Sequence, residues 1–252
     1  MSLLPQRPRS WSEAAVWQDV EFGSYTADLP LWRELAARAA GKVVELGAGS
    51  GRVGRALAQD GHEVVAVELD GELASELERR AGDLPLAAVE GDATDVGELA
   101  EAAGAALVIG PLQVAHLFDT ERRARMLAGI SRCLQPGGVC ALALVDESTL
   151  VDRDALGEAP SPDMREIDGW VYSSEPLWVQ LSDEALRMRR LRQRVSPGGD
   201  LVRRVHDDVL HRLSPETLEE EAERADLRAA GRRVVPANEF EAGSIVVLLG
   251  AA

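Results

Sequence analysis

The sequence predicts an α/β fold, a doubly wound and mainly parallel sheet with helices on both faces, and three stretches carry that expectation. Val43-Val-Glu-Leu46 runs into Gly47-Ala-Gly-Ser-Gly51, Glu63 to Leu69 forms a second short apolar strand, and Gly91-Asp-Ala-Thr-Asp95 follows a third. Helical patterns separate them: Val53, Ala56 and Leu57 make one apolar stripe, and Leu73, Leu77 and Ala81 another. Strands alternating with helices in this way pair in parallel, because each crossover lays its helix on a sheet face.

Taken in order, the first helix spans Arg52 to Asp60 and stops at Gly61, which takes the left-handed conformation cheaply; the second spans Glu72 to Ala81. Ala106 to Ile109 predicts a fourth strand, Thr120 to Leu134 a helix, and Val139 to Val145 a fifth strand. From Ile167 the alternation stops. Trp170 to Ser173, Leu177 to Leu181, Leu186 to Val195 and Leu201 to Leu213 read as extended runs, with Ser196-Pro-Gly-Gly-Asp200 as the turn of a β-hairpin. Ser214 then caps a helix with Pro215 at its first position, and the chain returns to the core through Val234, Val235 and a last strand, Ile245 to Leu249. The predicted organisation is an N-terminal helical and aromatic cap over 1–35, a core over 36–150 and 214–252, and an antiparallel insertion over 151–213. The cap carries Trp11, Trp17, Tyr25 and Trp32, aromatics that either close over the ligand or simply cover the sheet edge.

Ligands of such sheets bind beyond the C-terminal strand ends, where Gly47, Glu68, Asp92 and Gly110 all fall. The glycines let backbone approach a ligand closely, and Glu68, at the end of the second strand, can accept hydrogen bonds from both hydroxyls of a ribose. Gly49-Ser-Gly-Arg-Val-Gly54 formally satisfies the pattern of nicotinamide and flavin binders. Its register does not: counting from Gly47, the first glycine after the strand, Arg52 stands where the third should be.

The run Glu45-Leu-Gly-Ala-Gly-Ser-Gly51 instead resembles motif I of the class I S-adenosylmethionine-dependent methyltransferases, and the resemblance continues collinearly through Glu68, Asp92, Ala106 to Ile109 and the Leu134-Gln-Pro-Gly-Gly138 turn. It implies a Rossmann-like, seven-stranded sheet with a small antiparallel insertion after the fifth strand, overhanging the cofactor. It further implies S-adenosylmethionine as cofactor and S-adenosylhomocysteine as product. The residues it assigns to the cofactor are Tyr25, Glu45, Gly47, Ala48, Gly49, Gly51, Arg52, Glu68, Leu69, Asp92, Ala93, Gly110 and Pro111, with Glu68 on the ribose, Asp92 facing the adenine amino group and Tyr25 near the methionine carboxylate.

The activity implied is methyl transfer to a small-molecule acceptor by in-line displacement. The alternatives are a catalytically silent binder of the nucleoside acting through a partner, and a nicotinamide oxidoreductase on the same sheet. His116 and Asp146, near the ends of the fourth and fifth strands, are the candidate bases or acceptor-orienting groups, against ordinary roles as a cap or packing residue and a turn residue. Gln113, Trp170, Tyr172 and Trp178 are the candidate substrate contacts, the last three because the insertion carries them toward the cleft. A sheet extension or a homodimer contact is the alternative role for that insertion.

Composition narrows the partners. With 43 acidic against 27 basic residues the formal net charge is -16, which repels phosphate backbones and argues against nucleic acid. Arg187, Arg189, Arg190, Arg192 and Arg194 form the one dense basic cluster, read as the charged face of paired strands. The two cysteines, Cys133 and Cys140, fit a reducing cytoplasm, and their spacing supports neither a disulfide framework nor a metal site. His206 and His211 point to opposite faces of a strand, so no metal is expected. The first ten residues lack an apolar core, and the longest apolar runs are of strand length, so neither a signal peptide nor a membrane span is expected.

Overall fold

The computed structural model describes residues 12–150, 162–238 and 242–251. Trp11 and the segment 1–10, assigned above to the cap, lie outside the described residues, as do 151–161 at the start of the insertion.

Seven strands form the main sheet: β1 (Val43–Leu46), β2 (Val64–Glu68), β3 (Leu86–Glu90), β4 (Ala105–Gly110), β5 (Leu134–Val145), β10 (Leu227–Val235) and β11 (Ser244–Ala251), in the spatial order β10-β11-β5-β4-β1-β2-β3. β1 pairs in parallel with β2 on one side and β4 on the other, whereas β11 runs antiparallel between β10 and β5. Reversal of strand order beside β1 opens a crevice at the C-terminal ends of β1 and β4, and that crevice is where the site lies.

The side-chain period of two splits the core into two layers. Val43, Leu107 and Ile109 face α2 (Leu29–Arg38), α3 (Arg52–Gln59) and α4 (Gly71–Ala81), packing with Trp32, Leu57 and Leu77. Val44, Leu46 and Val108 face α5 (Thr120–Cys133) and α6 (Pro215–Glu223), packing with Met126, Leu127, Ile130 and Leu218. α5 and α6 are clamped by a buried ion pair, Arg123 Nη2 to Glu221 Oε1 at 2.7 Å, while Arg123 Nη1 donates to the Phe118 carbonyl.

The insertion is a separate antiparallel sheet, β6 (Asp163–Ile167), β7 (Trp170–Leu181), β8 (Ala185–Val195) and β9 (Leu201–His211), paired in that order. The hairpin over Ser196 to Asp200 is as predicted, closed by Ser196 N–H to the Asp200 carbonyl at 2.9 Å. Several boundaries differ from the expectation. The two runs Trp170 to Ser173 and Leu177 to Leu181 are one strand, β7, irregular between Pro176 and Trp178. A further strand, β6, precedes them, turning through Asp168 and Gly169, both at positive φ. β5 begins at Leu134, with its register shifted across the Pro136-Gly-Gly138 stretch. α2 runs to Arg38, past the boundary placed at 35, because Trp32, Leu35 and Ala36 are buried on the sheet. Val234 is 65% exposed and only Val235 turns inward, since β10 is an edge strand with one covered face.

Candidate active site

β1 is buried at all four positions and delivers the chain into a turn whose three glycines, Gly47, Gly49 and Gly51, have φ of 63°, 56° and 88°. That left-handed region strains any residue with a Cβ. At Gly51 a Cβ would also collide with the Leu77 side chain, and at Gly47 it would sit 2.8 Å from Val114 Cγ2. The turn is held by Ala48 N–H to the Val67 carbonyl at 3.1 Å, and Gly51 caps α3. Gly110, by contrast, is required by packing: a Cβ there would meet Val114 and Leu142.

Three carboxylates stand around this turn. Glu68, at the end of β2, accepts from Gly49 N–H at 2.7 Å through Oε2 and from Asp70 N–H at 3.0 Å through Oε1. Each oxygen keeps lone pairs for another donor, so a ribose could be held beside the turn. The next residue, Leu69, is 64% exposed, an apolar shelf at the mouth of the crevice. Asp92, after β3, accepts from Thr94 N–H and from Arg122 Nη2, at 2.9 and 3.0 Å, and both partners hold its carboxyl below the usual range against a partial desolvation. It caps the short helix Ala93–Glu98, in which Ala93 is buried.

Glu45, inside β1, is the unusual one. It is 2% exposed, its Oε2 has no hydrogen-bond partner among the described residues, and burial pushes its pKa up to about 8 against the pull of Arg52. A buried, unmatched carboxyl oxygen costs free energy until a donor reaches it. The adjoining cavity, about 40 Å³, is walled by Glu45, Gly47, Ala48, Ser50 and Arg52, by Pro111 and Leu112 after β4, and by Gln18 and Phe22 of α1 (Glu13–Phe22). Leu112 has φ of 55°, a conformation rare for a residue with a Cβ, held at the cavity wall. Unmatched carboxyl, glycine cradle and ribose-length acceptor together fit a nucleoside with an amino acid tail.

α1 walls this cavity, and the N-terminal helices are anchored by charge. Arg52 forks onto Asp28 at 2.6 and 2.8 Å and donates to the Tyr25 carbonyl, with its guanidinium 4.9 Å from the centre of the Tyr25 ring. Asp28 also accepts from Trp32 Nε1. Asp19 of α1 accepts from Ser50 Oγ at 2.7 Å, from Arg80 of α4 at 3.0 Å, and lies 3.5 Å from Arg165 of β6. One carboxylate thus joins the glycine turn, a core helix and the antiparallel sheet.

His116 is committed to structure. His116 is 3% exposed; its Nδ1 lies 2.8 Å from the His211 carbonyl, and its Nε2 accepts from Val145 N–H at 3.1 Å. That pairing leaves neither nitrogen to take a proton, and burial, with Arg123 nearby, lowers its pKa although the His211 carbonyl pulls the other way. Asp146 caps a short helix, accepting from Ser148 N–H and Oγ. Trp170 and Tyr172, assigned above to the substrate, are buried in a cluster with Val16, Trp17 and Val20, where they glue β7 to α1. Trp178 sits 5.0 Å under the Arg189 guanidinium on the antiparallel sheet, and neither it nor the half-buried Gln113 lines the cavity. Gln18, Phe22, Ser50 and Leu112 were missed. A capping Ser12 ahead of the helical pattern of α1 was the one legible signal.

No group of three potential metal ligands occurs among the described residues, and no helix among them is long and apolar enough to cross a membrane.

Residues 43–138 match the methyltransferase domain family. No curated protein matches the chain in sequence. Among solved structures, the chain is similar to an S-adenosylmethionine-dependent methyltransferase from Clostridium acetobutylicum, with 16% identity over 94% of this chain and 97% of that one, at a TM-score of 0.69. It is similar also to the amino pentose methyltransferase CalS10 from Micromonospora echinaspora, at 14% identity, 94% and 97% coverage and a TM-score of 0.69. A third, the sugar N-methyltransferase KedS8 from a Streptoalloteichus species, shares 15% identity over 98% and 96% of the two chains, at a TM-score of 0.70.

Proposed function

We propose that the chain is a class I S-adenosylmethionine-dependent methyltransferase that transfers the methyl group to an amine of a small-molecule acceptor. The observation that carries the reading is the cavity at the ends of β1 and β4, walled by the buried residue Glu45, the glycine turn and Arg52. When bound, S-adenosylmethionine supplies a methyl group activated on a sulfonium. The protein's part is to hold and exclude. Glu45 accepts the ammonium of the amino acid tail, Glu68 accepts the ribose hydroxyls while fixing Gly49, Leu69 backs the base, and Asp92 stands where the adenine amino group is met. Gln18 and Phe22 of α1, with Pro111 and Leu112, keep water from the methyl end, and alignment of nucleophile, methyl carbon and sulfur supplies the acceleration.

An amine acceptor is favoured because a neutral amine attacks without strong base help, whereas a hydroxyl needs it. Of the two candidate bases, His116 has both ring nitrogens in backbone hydrogen bonds, and Asp146 caps a short helix through Oδ1. The acceptors named for CalS10 and KedS8 support the same class.

Glu68→Ala is the test. Loss of acceptors for the ribose is expected to weaken S-adenosylhomocysteine binding by about 1.5 to 3 kcal/mol in calorimetry, with folding retained. Parent-like affinity in Glu68→Ala would reject the ribose role. Binding of NADH in place of S-adenosylhomocysteine by the parent chain would reject the cofactor itself.

A further inference from the structure

On another side of α1 lies a second cavity, of about 260 Å³, between the start of that helix and strands β8 and β9. Trp17 and Val202 give it apolar wall; Arg192, Arg194 and Arg204 give it charge. The three guanidiniums are unequally used. Arg192 is matched, its Nε and Nη2 each 2.7 Å from Glu21. Arg194 and Arg204 share one carboxylate oxygen, Glu13 Oε1, at 4.0 and 3.6 Å, beyond hydrogen-bond length. Arg194 is nevertheless 7% exposed, and its Nε has no hydrogen-bond partner among the described residues.

A buried guanidinium with an unmatched donor is completed best by an oxyanion, which accepts from the planar fork. Two further features point the same way. The N-terminal end of α1, a helix of 10 residues, borders the cavity through Glu13 and Ala14, so its partial positive charge adds to that of the arginines. His206 at the rim pairs with Asp208, leaving Glu13 as the one carboxylate among the described residues that line the cavity. Glu13 and Trp17, one turn apart, face this space, whereas Gln18 and Phe22, also one turn apart, face the cofactor cavity, so the helix separates the two.

We propose that this cavity is a second binding site, for a small molecule that carries a carboxylate or phosphate on an apolar body, with Trp17 as its platform and Arg194 and Arg204 as its oxyanion partners. Glu13 is the competing internal anion. Its removal therefore tightens binding, while removal of either arginine loosens it.

Titration calorimetry on the full chain tests this with phenyl phosphate, benzoate and uncharged benzamide. At least one oxyanion is expected to bind, benzamide far more weakly. Arg194→Gln is expected to weaken the oxyanion about tenfold, the effect of losing one charge-assisted hydrogen bond. Arg204→Gln, on an exposed side chain that folding tolerates, shifts it in the same direction, and Glu13→Gln strengthens it. Preference for benzoate assigns the ligand as a carboxylate, and preference for phenyl phosphate as a phosphate. Failure of both oxyanions to bind at millimolar concentration, or affinities indifferent to all three substitutions, would overturn the proposal. S-adenosylhomocysteine affinity is expected unchanged in Arg204→Gln, whose side chain is exposed, so a failure here is distinguishable from a failure of the cofactor site.

Discussion

In the seven-stranded sheet, β1 and β4 are buried at every residue; in the four-stranded sheet, β8 and β9 are exposed or half-buried along most of their length. The first sheet is sandwiched between two apolar layers, and its stability comes from surface removed from water. The second meets the rest of the molecule through six buried side chains and a row of ion pairs, Arg192 with Glu21, Arg165 with Asp19, and Arg194 and Arg204 with Glu13. Every one of those carboxylates is on α1. Attachment of the insertion to α1 therefore has a large electrostatic part, more sensitive to salt than the core, and the same helix walls the cofactor cavity, while β9 is tied separately to His116 through the His211 carbonyl.

The largest expected effect comes from breaking charge inside the apolar region. Arg123→Ala leaves Glu221 buried without its partner and is expected to lower stability by about 3 to 5 kcal/mol in denaturant unfolding. A loss below about 1 kcal/mol would mean that the α5 and α6 clamp is dispensable.

Next comes Glu45, a buried carboxyl within a core strand. Its raised pKa means that the folded chain keeps a proton that the unfolded chain releases, so stability falls as pH rises from about 4.5 toward about 8. Glu45→Gln removes that dependence, and its stability advantage over the parent is expected to grow by up to about 3 kcal/mol between pH 5.5 and 8. His116 works in the opposite sense. Its lowered pKa withholds stability as pH drops below about 6.5, where the unfolded chain takes up a proton and the folded chain does not. Thermal melts of parent and Glu45→Gln across that range would show the two slopes, and parallel curves would remove the unusual carboxyl from the account.

The smallest effect is expected at the joint between the regions. Glu21 accepts from Ser174 and twice from Arg192, so Glu21→Ala is expected to cost about 1.5 to 3 kcal/mol, the range for hydrogen bonds to a charged group. Because α1 also carries Gln18 and Phe22, S-adenosylhomocysteine binding is expected to weaken along with it in calorimetry. Unchanged affinity would show that the helix keeps its place without the insertion.

The same contrast explains what could be read beforehand. β1, β2 and β4 were legible because short apolar runs bounded by glycines leave few alternatives. β10 was not: Leu227-Arg-Ala-Ala-Gly-Arg-Arg is a polar edge strand, specified by its pairing with β11. β6 was passed over although Asp168-Gly169 is a strong hairpin signal, because Asp163-Met-Arg-Glu-Ile167 has little apolar alternation to mark the strand before it.

Local chemistry alone determined the glycine turn, the positions of Glu45 within β1 and Glu68 at the end of β2, and the hairpin at Ser196 to Asp200, since backbone φ, strand period and turn residues act over a few residues. Only the tertiary structure decided what each polar group is bonded to. His116 looked free until the chain brought the His211 carbonyl and Val145 N–H to its two nitrogens, and Trp170 and Tyr172 looked available until α1 covered them. Hydrogen-bond partners separated by 95 and 29 residues, as those of His116 are, leave no trace in spacing, because burial and satisfaction are properties of the packed chain.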